Sequence, residues 1–92
     1  MNINAHPTER HLSDADWVRQ CLDNKGDIQL WQILGTDKFY RVCQDGGKFG
    51  IQVVIRMMDD SYREITSFVK NRMSRIEQVE QYLRNCGAVR IW

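Results

Sequence analysis

Residues 45–57 contain the pattern that most restricts what this chain can fold into. The sequence DGG at Asp45–Gly47 accepts the positive φ angles that a tight hairpin turn requires. After the turn, every second residue is apolar, which is the period of a strand with one buried face. These residues are Phe49, Ile51, Val53, Ile55 and Met57. Because the segment KFYRVCQ before the turn is also rich in strand formers, a β-hairpin is predicted over residues 38–57.

A short amphipathic helix is predicted ahead of the hairpin, in the sequence HLSDADWVRQCLDNKG. Ser13 is the expected N-cap, with Asp16 at the capping-box position three residues later. Leu12 and Trp17 have the spacing of a hydrophobic staple across that cap. Asn24 and Gly26 are expected to end the helix.

The segment DIQLWQIL, residues 27–34, is predicted to be the first strand. Alternation places Ile28, Leu30 and Leu34 on one face of this strand. Trp31 and Ile33 then lie on the other face. Apolar side chains on both faces indicate that both are covered by other parts of the fold.

Residues 61–86 fit two alternatives. A single helix beginning at Ser61 would keep its apolar residues on one face, but it would be about twice the usual helix length. Alternatively, YREITSFV is a fourth strand, entered through a loop at Asp59–Ser61, and a helix runs from Ser74 to Cys86. That loop would place Arg56 opposite Glu64, a matched charge pair. We favour the strand followed by the helix.

With AVRIW as a final short strand, the predicted element order is α-β-β-β-β-α-β. This order suits an α+β fold, with a largely antiparallel sheet of four to five strands, an N-terminal helix and a C-terminal helix. The length of 92 residues fits a single domain over 1–92, in which the polar residues 1–11 are expected to form a loosely ordered arm.

The charge of the chain is unevenly distributed although its net value is only +1. Residues 61–92 contain six Lys or Arg against three Asp or Glu, which gives +3. Three cysteines without a CxxC pair are typical of reduced thiols in a cytoplasm. The chain contains no apolar run of about 20 residues and no hydrophobic signal core. We therefore expect a cytoplasmic protein.

No catalytic, cofactor-binding or metal-binding residues are predicted. His6 and His11 lie in the expected arm rather than on a rigid element beside a nucleophile. The cysteines lack the close-spaced pair that zinc sites usually contain, and DGGKFG lacks the glycine spacing and trailing helix of a phosphate loop. We expect a protein that is not an enzyme.

The strongest candidates for partner contact are Lys70, Arg72 and Arg75, with Arg84 extending their patch along the helix. The first three are expected on a loop at the start of the second helix, where free backbone N–H groups favour anions. A phosphate backbone or an acidic protein surface would suit this patch; the alternative is that these side chains only solvate the helix. Tyr40 is a candidate aromatic anchor, with a place in the core as its alternative.

This chain is short and has no recognisable catalytic set of residues. In these respects and in its layout it resembles the phage anti-CRISPR proteins, in particular the small α+β inhibitors of type I-F surveillance complexes. The resemblance covers the layout from SDADWVRQCLDN through CQDGGKFGIQVVIR to SRIEQVEQYLRNCG. It implies a stoichiometric inhibitor, without a cofactor, that acts in the host bacterial cytoplasm. Its partners would be Cas proteins, with a contact to guide RNA, and it would block recognition of target DNA.

The net charge of +1 differs from that of the strongly acidic family members that mimic DNA. It favours direct docking through a shaped interface. A small nucleic-acid-binding regulator that uses the basic patch near residues 70–75 is the alternative function.

Overall fold

Residues 12–21 and 26–92 are described by a computed structural model of the chain. The α+β fold and the predicted element order are confirmed. In chain order the elements are α1 (Asp14–Cys21), β1 (Asp27–Ile33), β2 (Lys38–Asp45), β3 (Lys48–Arg56), β4 (Tyr62–Met73), α2 (Ile76–Asn85) and β5 (Ala88–Arg90). The expected arm over 1–11 and the expected helix stop at Asn24 lie outside the described residues.

The strands form one antiparallel sheet in the order β4-β3-β2-β1-β5. The predicted hairpin is confirmed, since Asp45 pairs with Lys48 and the two residues between them, Gly46 and Gly47, have φ angles of 58° and 78°. The chain leaves the edge strand β4 through α2 and returns at the opposite edge as β5. Helix α2 therefore spans one face of the sheet.

The face beneath α2 carries the larger hydrophobic cluster. On the helix, Val79 and Leu83 are four residues apart and fully buried, as expected for one apolar stripe. The buried members of this cluster are Trp31, Tyr40, Val42, Ile51, Val79, Leu83 and Ala88. Alternate residues of the three central strands, together with Ala88 of β5, thus supply the sheet side of this core.

The opposite face is covered by α1. Its cluster consists of Trp17, Val18, Leu30, Phe39 and Val54, and Leu12 packs against it. The Trp17 and Phe39 rings lie 4.6 Å apart between centroids. The expectation that both faces of β1 are covered is confirmed, because Leu30 belongs to this cluster and Trp31 to the other.

Two details of β1 differ from the prediction. The pairing of β1 with β2 shifts between Asp27 and Gln29, so Ile28 packs against the α2-side cluster instead of sharing the face of Leu30. Leu34 lies beyond the end of the strand and is 66% exposed. A bulge of this kind reverses the alternation locally, which a regular period-two pattern does not anticipate.

The start of the first helix is as predicted, whereas that of the second is not. Ser13 Oγ accepts a hydrogen bond from the Asp16 N–H at 3.2 Å. Helix α2, predicted to begin at Ser74, has Arg75 as its N-cap, and no side chain caps it. Its predicted end is close to that observed, since Cys86 is the C-cap and Gly87 has a φ of 83°.

The connection between β3 and β4 is longer than predicted. Arg56 pairs with Tyr62, and Glu64 lies opposite Val54, so the expected Arg56–Glu64 pair is wrong. The reason is that Arg56 has a partner within the connection. Its guanidinium donates to Asp60 Oδ1 from Nε at 3.1 Å and from Nη2 at 2.8 Å.

The alternative of a strand followed by a helix is confirmed over residues 61–86, but the strand is four residues longer than predicted. Strand β4 extends to Met73, which pairs with Phe49 near the start of β3. Lys70 and Arg72 therefore lie on a strand, and the prediction of a basic loop there is wrong. Three register shifts let the twelve residues of β4 pair with the shorter stretch from Phe49 to Arg56.

Candidate functional site

The end of β4 and the exposed side of α2 form the two walls of an open groove of about 850 Å³. We call it the β4–α2 groove. Its lining residues are Lys70, Asn71, Arg72, Met73, Arg75, Glu77, Gln78, Gln81, Tyr82 and Asn85. Three of the predicted contact residues, Lys70, Arg72 and Arg75, are therefore brought together in one concave surface. They reach it from a strand and a helix cap rather than from a loop.

The backbone of β4 is irregular where the groove begins. Arg72 has a φ of 59°, in the left-handed region that residues with a Cβ seldom adopt. It falls within the register shift between the Ile51–Lys70 pair and the Phe49–Met73 pair. Such a bulge redirects side chains at a sheet edge. Consistent with this, Arg72 contributes to the lining of depressions on both sides of the strand.

The cations of the groove have only weak internal partners. Lys70 Nζ lies 5.4 Å from the centre of the Tyr82 ring, a cation–π contact at a half-exposed site. Arg75 Nε lies 3.7 Å from Glu77 Oε1, and both side chains are about two-thirds exposed. Because water screens such a pair, it stabilises the fold little and leaves Arg75 able to contact a partner. Three cations against the single carboxylate of Glu77 give the groove a local charge of +2.

The helix start adds less positive potential than the sequence suggested. Glu77 stands in the first turn of α2, where a carboxylate already complements the positive end of the helix dipole. Anion attraction in the groove therefore comes mainly from the side chains of Lys70, Arg72 and Arg75.

Tyr82 contributes a neutral hydroxyl to the groove wall. Burial raises the pKa of the Tyr82 phenol, and the nearby Cys86 raises it further. The hydroxyl consequently stays protonated near neutral pH and adds no negative charge. It can donate a hydrogen bond to an anionic partner.

The two remaining predicted contact residues lie elsewhere. The Arg84 guanidinium stands over the Trp31 ring, 5.8 Å from its centre, and is outside the groove lining. Tyr40 is 6% exposed and belongs to the core beneath α2, together with Trp31. Of the two alternatives for Tyr40, the core position is the one observed.

Several groove residues were missed by the sequence reasoning. Gln78, Gln81, Tyr82 and Asn85 line the wall formed by α2 at the spacing of one helical face. That stripe was visible once the helix was assigned, and it supplies amide groups that donate and accept hydrogen bonds. Their placement beside Lys70 depends on how α2 packs next to β4, which no local pattern reveals.

In the part of the chain that the structure describes, no group of three His, Cys, Asp or Glu side chains is placed to hold a metal ion. Within those same residues, no helix is long and apolar enough to cross a membrane. No protein-family model, no curated protein and no solved structure matches this chain.

Proposed function

We propose that this chain is a non-catalytic inhibitor that docks onto an RNA-guided type I-F Cas surveillance complex and blocks its recognition of target DNA. The observation that supports docking is the convergence of Lys70, Arg72 and Arg75 in the β4–α2 groove. Such a groove suits an anionic partner, either the backbone of guide RNA or an acidic Cas surface. The choice of a Cas complex as the partner comes from the family resemblance of the chain layout.

The charge distribution supports docking at one place rather than attraction over the whole surface. The net charge of the chain is +1, whereas the groove alone carries +2. A nearly neutral protein generates little long-range steering. Its affinity therefore has to come from a shaped interface with a few arginine and aromatic contacts. The cations, the amides and Tyr82 in the groove provide such a set.

Capture from a host that carries a type I-F system tests this proposal. The tagged chain is expected to co-purify Cas subunits. Reversal of Lys70, Arg72 and Arg75 together to Glu is expected to remove most of the capture. The matched control reverses three exposed cations outside the groove, Arg19, Lys38 and Arg63, with the same change in net charge. Thermal unfolding of both triple variants shows that they remain folded.

The result that contradicts the proposal is the absence of Cas subunits from the purified material. Equal loss of capture in both triple variants would assign binding to net charge instead of to the groove.

A small nucleic-acid-binding regulator is the competing function, and the amide stripe of α2 is the observation that favours it. Such a protein would bind free RNA or duplex DNA with a steep salt dependence. With three cations on phosphates, the slope of log K against log salt would be about −2 to −3. Binding of free nucleic acid with that slope, together with a failure to capture Cas subunits, would support the regulator function instead of the inhibitor function.

A further inference from the structure

A second depression, of about 390 Å³, lies on the α1 side of the sheet beside the turn between β2 and β3. We call it the hairpin pocket. The residues that give it chemical character are Cys43, Asp45, Lys48, Phe68, Asn71 and Arg72. It is separate from the β4–α2 groove, although Asn71 and Arg72 line both.

Phe68 forms an aromatic wall of the hairpin pocket. The residue is 42% exposed, although its ring lies against the backbone of β3. A Cβ on Gly50 would stand 2.7 Å from Phe68 Cε1 and 2.8 Å from Cδ1, so only glycine lets the ring settle there. The ring is thus supported on one side and partly open to the pocket. An exposed, supported aromatic ring is the arrangement on which nucleobases stack.

Polar groups of both signs surround this ring. Lys48 and Arg72 supply two cations, which suit a phosphate group. Asp45 stands opposite Lys48 across the turn, and Asn71 contributes an amide. A carboxylate and an amide accept hydrogen bonds from ribose hydroxyls and from base amino groups.

The Cys43 thiol, which lines the pocket, is uncharged near neutral pH. Burial raises the pKa of the Cys43 thiol, and the nearby Asp27 carboxylate raises it further. The neutral thiol therefore does not repel an anion bound between Lys48 and Arg72.

From this combination we propose that the hairpin pocket binds a nucleotide, with its base against Phe68 and its phosphate between Lys48 and Arg72. A simple anion would make no use of Phe68 or of the hydrogen-bonding groups of Asp45 and Asn71. A purely apolar ligand would make no use of the two cations. A nucleotide matches the aromatic, cationic and hydrogen-bonding groups together. The volume also falls in the usual range of small-molecule sites, about 300–1,000 Å³.

The nucleotide has two sources, a free molecule or one unit of a single strand. Because Asn71 and Arg72 line both depressions, a strand could pass from the hairpin pocket into the β4–α2 groove. Titration of the full chain with adenosine 5′-monophosphate and with a short single-stranded oligonucleotide compares the two sources. Much tighter binding of the oligonucleotide identifies a strand, and equal affinities identify the free nucleotide.

Variants of the pocket test the assignment through chemical-shift changes during those titrations. Phe68→Leu is expected to weaken nucleotide binding at least about five-fold through the loss of stacking. Lys48→Gln is expected to weaken it about ten-fold through the loss of a charge-assisted hydrogen bond. The control is Met58→Ala, at a more exposed apolar position in the distant β3–β4 turn. Adenosine without phosphate should bind at least about ten-fold more weakly than the monophosphate.

Absence of saturable binding, or affinities unchanged by Phe68→Leu and Lys48→Gln, would overturn the inference. So would inorganic phosphate that competes as well as the nucleotide does. Both substitutions leave Lys70 and Arg75 in place. If these variants lose nucleotide binding but still capture Cas subunits, the pocket is separate from the proposed inhibitor function. If the wild-type chain captures no Cas subunits, the nucleotide titration still tests the pocket.

Discussion

The two helices cover opposite faces of one sheet, but they are held to it in different ways. Helix α2 packs through an apolar stripe, with Val79 and Leu83 fully buried in the larger cluster. Helix α1 has only eight residues and contributes Trp17 and Val18 to the smaller cluster. On that side, charged groups are buried as well. The short helix therefore relies on a buried ion pair, whereas the polar contacts of α2 to the sheet, such as Gln29 Nε2 to Glu80 Oε2 at 3.1 Å, are only partly buried.

The polar contacts of α1 centre on the ion pair of Arg56 and Asp60, which we call the α1 latch. The Arg56 and Asp60 side chains are 5% and 7% exposed. Asp60 Oδ2 accepts the Leu12 N–H at 2.7 Å, and Arg56 Nη2 donates to the Leu12 carbonyl at 2.7 Å. Trp17 Nε1 donates to the Asp60 carbonyl at 2.9 Å. The start of α1 is thereby fixed to the β3–β4 connection.

The largest expected effect on stability comes from breaking the latch. Asp60→Asn removes the carboxylate charge but suits the left-handed φ of 67° at this position. Because it removes the negative charge that the buried Arg56 guanidinium contacts through Nε and Nη2, the free energy of unfolding should fall by about 3–5 kcal/mol. Chemical denaturation measures this loss. The control is Asp59→Asn in the same turn, where the carboxylate is exposed and the asparagine carbonyl can still accept the hydrogen bonds from Ser61, so the denaturation midpoint should move only slightly.

A loss for Asp60→Asn no larger than that for Asp59→Asn would show that the latch does not hold α1. Helix α1 would then be held to the sheet, like α2, mainly by its apolar cluster.

The second-largest effect on stability is expected from a substitution that opens a cavity beneath α2. Leu83→Ala removes a fully buried side chain and should lower the free energy of unfolding by about 2–4 kcal/mol. Gln81→Ala, at an exposed position on the same helix, is the matched control. Because Asp60 and Leu83 serve opposite faces, the double variant should show the sum of the single losses within about 0.5 kcal/mol. A clearly smaller combined loss would mean that the two faces are energetically coupled.

The smallest effect concerns the close contact on the α1 side of the sheet. Gly50→Ala places a Cβ against the Phe68 ring and should lower stability by about 1 kcal/mol, since the half-exposed ring can move aside. In the background of Phe68→Leu the same substitution should cost clearly less, because the remaining close neighbour is Asn71 Oδ1 at 3.1 Å. Thermal unfolding of the four proteins measures this difference. An equal loss of stability in both backgrounds would show that contact with the Phe68 ring is not the cause of the loss.

The parts of the fold that the sequence predicted carry strong local signals. Alternating apolar residues after DGG identified the hairpin, and Ser13 identified the start of α1. The second helix begins without such a signal, because Arg75 is its N-cap and makes no capping hydrogen bond through its side chain. The pairing register of β4 with β3 could not be predicted from the sequence either, because three shifts interrupt it and Arg56 bonds to Asp60 within the connection.

The candidate site was predicted only to the extent that its residues are neighbours in sequence. Lys70, Arg72 and Arg75 were grouped because they lie within six positions. Their groove exists because α2 turns back beside β4 and adds Tyr82 from a distant position. Tyr40 was a wrong choice for a surface anchor because alternation along β2 directs it into the core beneath α2.

Target-DNA binding by a purified type I-F surveillance complex tests the proposed function most directly. Added at increasing ratios, the wild-type chain should abolish DNA binding near one copy per binding site on the complex. The Lys70, Arg72 and Arg75 reversal should leave DNA binding intact at the same ratios. Undiminished DNA binding in an excess of the wild-type chain would contradict the account, as would equal inhibition by the wild type and the reversed variant.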